Sequence, residues 1–463
     1  MFVAAGLQTR PVTMVVQKFG GTSVADPEAI RRLIEIVRTA RSRDGSGPAV
    51  VVSAMSGVTD GLLKIAADSS SAKADDAMAG VAKLRERHLV AARDLAPGNT
   101  AVESQINEQC DALAAVVRTL VELRELSPSM SDVVAAVGEL LSSRLVAAAL
   151  VHAGLPGCWV DARKAIITTD DHMSARPLAA ETNAALRATV GTAVAAGQVP
   201  VLGGFVASTR DGHTTTLGRG GSDYSGALVG AGIGAHEIQI WTDVDGMLTA
   251  DPRVISTPRL VPHLSFAEAA ELAYFGAKVL HPATILPAVE HDIPVRILNS
   301  RNPQGTGTVI TAKGSPDGTP VTGFACKKDV TVIDITSSRM LMAYGFLRQV
   351  FEVFEKFRTA VDVVTTSEVS VSVTVDDRRN VAAIVEALSA FSEVSTESEM
   401  ALVCAVGDRL RTEPETAARV VGVLEEVPLR MISQAAARRN ITVIMRQSDL
   451  PHAMQRLHQE FFG

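Results

Sequence analysis

The apolar positions of this chain change period several times, and the changes mark out its elements. Ile30, Leu33, Ile34 and Val37 recur at i, i+3, i+4, i+7, the spacing of one helical face. A helix is therefore expected from Pro27, which suits a first helical position, with Asp26 as its cap. Just before it, Val15, Val16 and Gln17 read as the end of a strand. Ala49-Val50-Val51-Val52-Ser53 and Val199-Pro200-Val201-Leu202 are short apolar runs of the kind buried in a sheet. From Met14 to about Leu298 such strands alternate with helices, which implies an α/β fold with a largely parallel sheet covered on both faces. Residues from about Asp68 to Ser127, Ala- and Leu-rich with charges between, read as helices inserted between strands. Asp211-Gly212 between strand-like residues predicts a hairpin, and Ser265 with Glu268 forms a capping-box signature.

Asn302 to Pro320 is dense in Gly, Pro and Thr and marks a domain boundary. Beyond it the rhythm is β-α-β-β-α-β: a strand at Val330 to Ile335, a helix at Gly345 to Arg358, strands at Val361 to Thr366 and Val369 to Val375, and a helix at Asn380 to Leu388. The pattern starts again at Leu402, with a helix at Thr416 to Glu426, a strand at Ile441 to Met445 and a last helix at Pro451 to Phe461. Two ferredoxin-like (βαββαβ) units follow from this. With 463 residues, too many for one core, the expected domains are 14–301, a linker 302–325, and the two units 326–398 and 399–463.

Composition narrows the function classes. A net charge of −7 argues against a nucleic-acid partner, which wants a basic surface. Cys110, Cys158, Cys326 and Cys404 are far apart, the pattern of reduced thiols in a cytoplasmic protein and not of a disulfide frame or zinc site. The ten histidines do not cluster, so no protein metal site is expected. The most apolar stretch, Val133 to Leu150, contains Glu139 and Arg144 and reads as a core helix, not a membrane span. Met1 to Thr13 lack the charged start and long apolar run of a signal peptide and read as an extension or a mis-assigned start.

Candidate chemistry sits in the glycine loops. Lys18-Phe19-Gly20-Gly21-Thr22-Ser23 joins a cation, bare backbone and two hydroxyls at a strand–loop–helix junction, where amides and the helix dipole favour an anion. It is not a Walker A loop, because the lysine precedes the glycines. Gly218-Arg219-Gly220-Gly221-Ser222-Asp223 is a second glycine loop carrying both charge signs, and Trp241-Thr242-Asp243 closes a strand with polar groups. Asp251-Pro252-Arg253 and Phe275-Gly276-Ala277-Lys278-Val279-Leu280-His281-Pro282 follow. The run Gly230-Ala231-Gly232-Ile233-Gly234 lacks a dinucleotide fingerprint and reads as a helix end. Phosphoryl transfer needs cations and oriented N–H donors, here Lys18 and Lys278 with the Gly20-Gly21 and Gly220-Gly221 amides. A carboxylate acceptor, with a pKa near ~4, needs no base. Asp223 then organises the lysines; for a hydroxyl acceptor it would be the base.

These motifs, in this order, resemble the aspartate kinases of the amino-acid kinase family, from about Met14 to the C-terminus. The resemblance implies a three-layer amino-acid kinase sandwich followed by two ACT domains, and ATP-dependent phosphorylation of L-aspartate at the entry to lysine, threonine and methionine synthesis. It implies phosphate contact by Lys18, with Gly20 and Gly21; Thr242, Asp243, Arg253, Lys278 and Val279 on the nucleotide side; and Mg²⁺ carried by the nucleotide. For the substrate it implies Arg219 on a carboxylate, Glu139 on the ammonium, and Ser53, Thr59 and Ser222 as hydroxyl contacts; Glu139 is otherwise a structural ion-pair member. Many relatives carry tyrosine where this chain has Leu248. An effector pocket is implied at Met340, Ala343, Phe346, Leu347, Asp362, Ser367 and Glu368, whose charges fit L-lysine; Met342-Ala343 replaces a frequent His-Ser, which leaves threonine, or lysine with a second effector, as alternatives. A homodimer through the first ACT unit, or a tetramer, is implied as well. The rivals are a kinase for glutamate or acetylglutamate and a catalytically silent sensor.

Overall fold

The computed structural model describes residues 14–44, 47–275, 282–314, 320–337, 344–408, 410, 413–434 and 438–463. The chain divides into two compact units, one of Met1–Gly246 with Leu280–Ala312, the other of Met247–Val279 with Lys313–Gly463. The segment after Gly246 folds with the C-terminal strands. Ala250 and Ile255 share an apolar core with Phe324, Val403, Val443 and Leu457, and the Phe324 N–H donates to Thr249 O at 2.7 Å.

In the first unit the central strands run parallel in the order Gly157–Trp159, Val199–Gly203, Ala49–Val52, Val15–Phe19, Glu237–Thr242 and Val295–Asn299. Thr308–Thr311, inside the stretch expected to be linker, adds an antiparallel strand beside Val295–Asn299. Val15–Phe19 is buried on both faces, as an interior parallel strand must be. On one face Phe19, Val50, Val52, Val201 and Trp241 pack with Ile30, Leu33 and Val37 of the helix Pro27–Asp44 and with Leu141 and Leu145 of Pro128–His152. On the other face the helix Gly221–Ile233 crosses so closely that a Cβ on Gly226 would lie 3.2 Å from Lys18 Cβ. These are the three layers.

Local signals set the helix ends. Asp26 accepts from the Ala29 N–H at 2.8 Å, Asn99 caps Thr100–Leu123, and Ser127 with Pro128 opens Pro128–His152. That last helix is apolar and long enough to cross a membrane, but its apolar window is 83% buried inside the unit, so it is a core helix. Val58–Ser70, Ala74–Leu95 and Thr100–Leu123 form the inserted helical layer. Val206–Thr209 and Thr214–Thr216 form the expected hairpin, with Gly212 left-handed at its turn.

The second unit holds one six-stranded antiparallel sheet. Its two long strands, Gly323–Thr336 and Glu393–Val406, run through both halves. Val330–Thr336 with Phe346–Lys356, Val364–Thr366, Ser370–Val375, Val381–Ser389 and the start of Glu393–Val406 completes one βαββαβ set. The other set takes Gly323–Lys327 as its edge partner for Leu402–Val406, so the first unit is nested in the second and the two do not follow in series. The expected capping box forms reciprocally: the Ser265 N–H donates to Glu268 Oε2 at 2.8 Å and the Glu268 N–H to Ser265 Oγ at 3.1 Å.

Candidate active site

A cavity of about 530 Å³ opens at the carboxyl ends of four parallel strands, where Phe19, Val52, Gly203 and Thr242 give way to loops. This is the rim at which open α/β sheets bind ligands. Its lining brings together Lys18, Gly20, Gly21, Ser53, Thr59, Glu139, Ser222, Asp223, Thr242 and Asp243, residues spread over nearly half the sequence. A larger hollow of about 640 Å³ lies on the opposite face of the sheet, at Gln17, Gln239 and Trp241. Of its two guanidiniums, Arg43 has a partner of its own and Arg296 is committed to Glu237 at 3.1 Å, whereas the smaller cavity gathers the lysine and both glycine loops.

Lys18 reaches the cavity from beneath the sheet face and is 7% exposed. Its Nζ lies 2.6 Å from Asp223 Oδ1 in the first turn of Gly221–Ile233. The pair is an ion pair, with Asp223 Oδ1 otherwise unengaged among the described residues. The two glycine loops supply fewer donors than their sequences suggest. The Gly20 N–H is spent on Trp241 O at 2.9 Å and the Gly221 N–H on Gly218 O at 3.0 Å. Among the described residues the Gly21 and Gly220 amides donate to no backbone carbonyl. Two glycines are needed for close approach. A Cβ on Gly21 would meet Ala54 O at 3.2 Å, and one on Gly204 would meet Ser222 Cα at 2.8 Å.

Glu139 enters from the opposite layer, at the middle of the core helix. Bare Gly138 lets the helix close on Ala54 and Val58, and bare Gly203 lets the sheet edge meet Glu139 itself. The side chain is almost sealed, and Oε2 has no hydrogen-bond partner among the described residues. Burial pushes its carboxyl up to about 8, opposed by a backbone hydrogen bond at Ala54 and by the charge of Lys18. One oxygen of this buried carboxyl, in the cavity lining, thus has no partner among the described residues, and no ion pair engages the group there.

Arg219 is exposed between the lining glycines Gly218 and Gly220, with no ion-pair partner among the described residues. Arg253 belongs to the second unit and is held bidentate by Asp251, at 3.0 and 2.6 Å. Leu248 bridges Leu260 in the same unit. Lys278, Val279, Met340, Met342 and Ala343 lie outside the described residues. In the second unit Phe346 is core, edge-on to Phe391, while Leu347 is exposed. Asp362 is already paired with Lys327 at 2.8 Å and accepts from Tyr274 Oη at 3.1 Å. Ser367 closes a turn onto Ser370, with Glu368 exposed at its tip. Sequence reasoning missed Phe205, which lines the cavity in a left-handed conformation at φ +65°. The one available signal was its place after Gly203-Gly204 at a strand end.

Residues 13–299 match the amino acid kinase family, and residues 403–461 an ACT domain. The chain belongs to the amino acid kinase family. Within it, the chain is 38% identical to chloroplastic aspartokinase 3 of Arabidopsis thaliana over 96% of its length and 81% of that protein's. It is 35% identical to the lysine-sensitive aspartokinase 3 of Escherichia coli, over 97% and 99% respectively. Crystal structures of E. coli aspartokinase III, one with aspartate and ADP and one with lysine and aspartate, each superpose with a TM-score of 0.82 at 33% identity, covering 97% of this chain and 100% of theirs. This kinase therefore shares both halves with the aspartokinases.

Proposed function

We infer that this kinase transfers the terminal phosphoryl group of ATP to the side-chain carboxylate of L-aspartate, giving 4-phospho-L-aspartate, and that L-lysine inhibits it through the ACT half. One observation carries the catalytic part: a buried Lys18–Asp223 pair and the buried, unpartnered Glu139 carboxyl open into the same cavity. A cation for phosphate and an anion for an ammonium group, on opposite layers of one sheet, suit a phosphate donor and an amino-acid acceptor. The E. coli relative solved with aspartate and ADP supports that pairing.

The acceptor carboxylate is ionised at neutral pH, so the chain needs no general base. Asp223 acts as organiser: it holds the Lys18 ammonium at the loop where charge moves from donor to acceptor. The Gly21 and Gly220 amides add donors at that point, and Thr242 and Asp243 lie on the nucleotide side. Mg²⁺ carried by the nucleotide would supply further neutralisation of the phosphate charge that Lys18 faces. Glu139 takes the substrate ammonium; Arg219 closes over its α-carboxylate; Ser53, Thr59 and Ser222 complete the polar wall.

For the effector, Asp362 beside its Lys327 partner and Glu368 at the exposed turn tip supply anions for ammonium groups. The working unit is a homodimer through the nested ACT set, as the family resemblance implies. The E. coli structure with lysine supports lysine as the effector.

The test is aspartate-dependent ADP formation with Mg-ATP, titrated with L-lysine, for the wild type and Lys18→Ala. Turnover that falls with lysine and vanishes in Lys18→Ala, with calorimetric lysine binding retained, is expected. Turnover that persists in Lys18→Ala removes Lys18 from the mechanism, and folded wild type without aspartate-dependent turnover refutes the substrate assignment.

A further inference from the structure

A second buried carboxylate, on the same helix as Glu139, has no part in the chemistry above. Asp132 lies two turns before Glu139 in Pro128–His152, about 10 Å along the axis. It is 1% exposed, yet both its oxygens are fully engaged. Oδ2 faces His172 Nδ1 at 2.6 Å; Oδ1 accepts from Thr216 Oγ1 at 2.5 Å; the Met173 N–H donates to both, at 3.0 and 3.1 Å. All three partners lie outside the helix, on two segments that meet at the second glycine loop. Thr216 ends the strand Thr214–Thr216, two residues before Gly218. The Ala175 N–H donates to Thr216 O at 2.9 Å, tying the segments to each other. Met173 O lies where a Cβ on Gly218 would come within 3.1 Å, and Gly218 is itself left-handed at φ +72°.

Met173 is the strained member of this arrangement. Its φ is +69°, unfavourable for a residue with a side chain, and the side chain is largely exposed and makes no compensating core contact. What holds that backbone is its N–H bond to Asp132.

We propose that Asp132, with His172, is a positioning residue for aspartate binding: it clamps residues 170–175 and the Thr216 strand end so that Arg219 and Ser222 stand in register with Glu139. The helix that carries the ammonium receptor thus also fixes the loop that carries the carboxylate receptor. This rests on the substrate assignment above. The clamp touches neither Gly20–Gly21 nor Thr242 and Asp243 on the nucleotide side, so its effect on binding falls on aspartate, while Gly220 and Asp223 in the same loop make kcat fall with it.

The experiment is steady-state kinetics of the full-length enzyme with each substrate varied, with melting temperatures, for Asp132→Ala, Asp132→Asn, His172→Ala and Thr216→Val. The expected result is an aspartate KM raised about tenfold or more in Asp132→Ala and about threefold or more in Thr216→Val and His172→Ala, with ATP KM within about twofold of wild type. Asp132→Asn should recover most of the loss, because its amide can face His172 while its oxygen still accepts from Thr216 and Met173. If Asp132→Ala does not fold, Thr216→Val and His172→Ala carry the test. Aspartate KM unchanged in those variants, or aspartate and ATP KM rising together, overturns the clamp while leaving the substrate assignment standing. A wild-type enzyme without aspartate-dependent turnover overturns both.

Discussion

The buried carboxyl of Glu139 makes aspartate binding depend on pH in a defined direction. In the empty site its pKa is about 8, raised by burial. At pH 7 the group is therefore about 90% protonated. The substrate ammonium needs the carboxylate, so binding must expel that proton. If the bound form titrates well below neutrality, the apparent dissociation constant exceeds its limiting value by about 11-fold at pH 7, about 2-fold at pH 8 and about 1.3-fold at pH 8.5. Affinity for aspartate thus rises roughly eightfold from pH 7 to 8.5, and binding at pH 7 releases about 0.9 proton. Calorimetry in two buffers of different ionisation enthalpy reads both quantities. The same shift has a cost in stability. Between an unfolded pKa of 4.5 and a folded one of about 8 the native chain holds a proton that the unfolded chain has lost, so stability falls as pH rises through that window and levels off above it. The loss is at most on the order of 5 kcal/mol, at about 1.36 kcal/mol per unit. Glu139→Gln should therefore melt higher than the ligand-free wild type at pH 8 while losing aspartate binding. Affinity independent of pH from about 6.5 to 8.5 without proton release, or a Glu139→Gln variant less stable than wild type at pH 8, would refute the reasoning.

Gly204→Ala should cut kcat/KM for aspartate by about 10- to 100-fold, because its Cβ would lie 2.8 Å from Ser222 Cα and must push the helix start away; unchanged kinetics would show that the Ser222 loop tolerates displacement. Glu368→Ala should raise the lysine concentration for half-inhibition by roughly tenfold or more, the loss of one charge-assisted contact. Its side chain stands at an exposed turn, so the melting temperature should not move, and full retention of lysine inhibition would place the effector elsewhere.

Motif chemistry was readable because it is local. Lys18 with Gly20-Gly21, and Ser222 with Asp223, sit where a strand hands over to a helix, and that junction is written in a few consecutive residues. What those motifs do with their hydrogen bonds was not. The Gly20 and Gly221 amides look free in sequence and are consumed by Trp241 and Gly218, one a partner more than two hundred residues away. Glu139 shows the same limit. Its motif marked it as a candidate, but only the closure of Gly138 on Ala54 and of Gly203 on Glu139 seals the carboxyl with one oxygen unpartnered among the described residues. Asp132 carried no usable signal, and Phe205 only its place after Gly203-Gly204, since their roles lie in partners on other segments and in a left-handed backbone.

The C-terminal half divides in the same way. Period-2 and period-3.6 runs placed its helices within a few residues, because burial of one face acts on neighbours in sequence, but the two long strands begin seven and nine residues before the expected Val330 and Leu402. The pairing of Gly323–Lys327 with Leu402–Val406, which nests one ferredoxin-like set in the other, depends on hydrogen bonds between strands some eighty residues apart. No local pattern encodes that choice. By itself, then, the sequence determined the family, most of the elements and the candidate residues of the two glycine loops, since helix faces, caps and glycine loops obey short-range rules. The tertiary structure alone decided which donors remain free, which carboxyls are buried without a partner, and which strands meet, because those are settled by the competition of distant groups for the same hydrogen bonds and the same space.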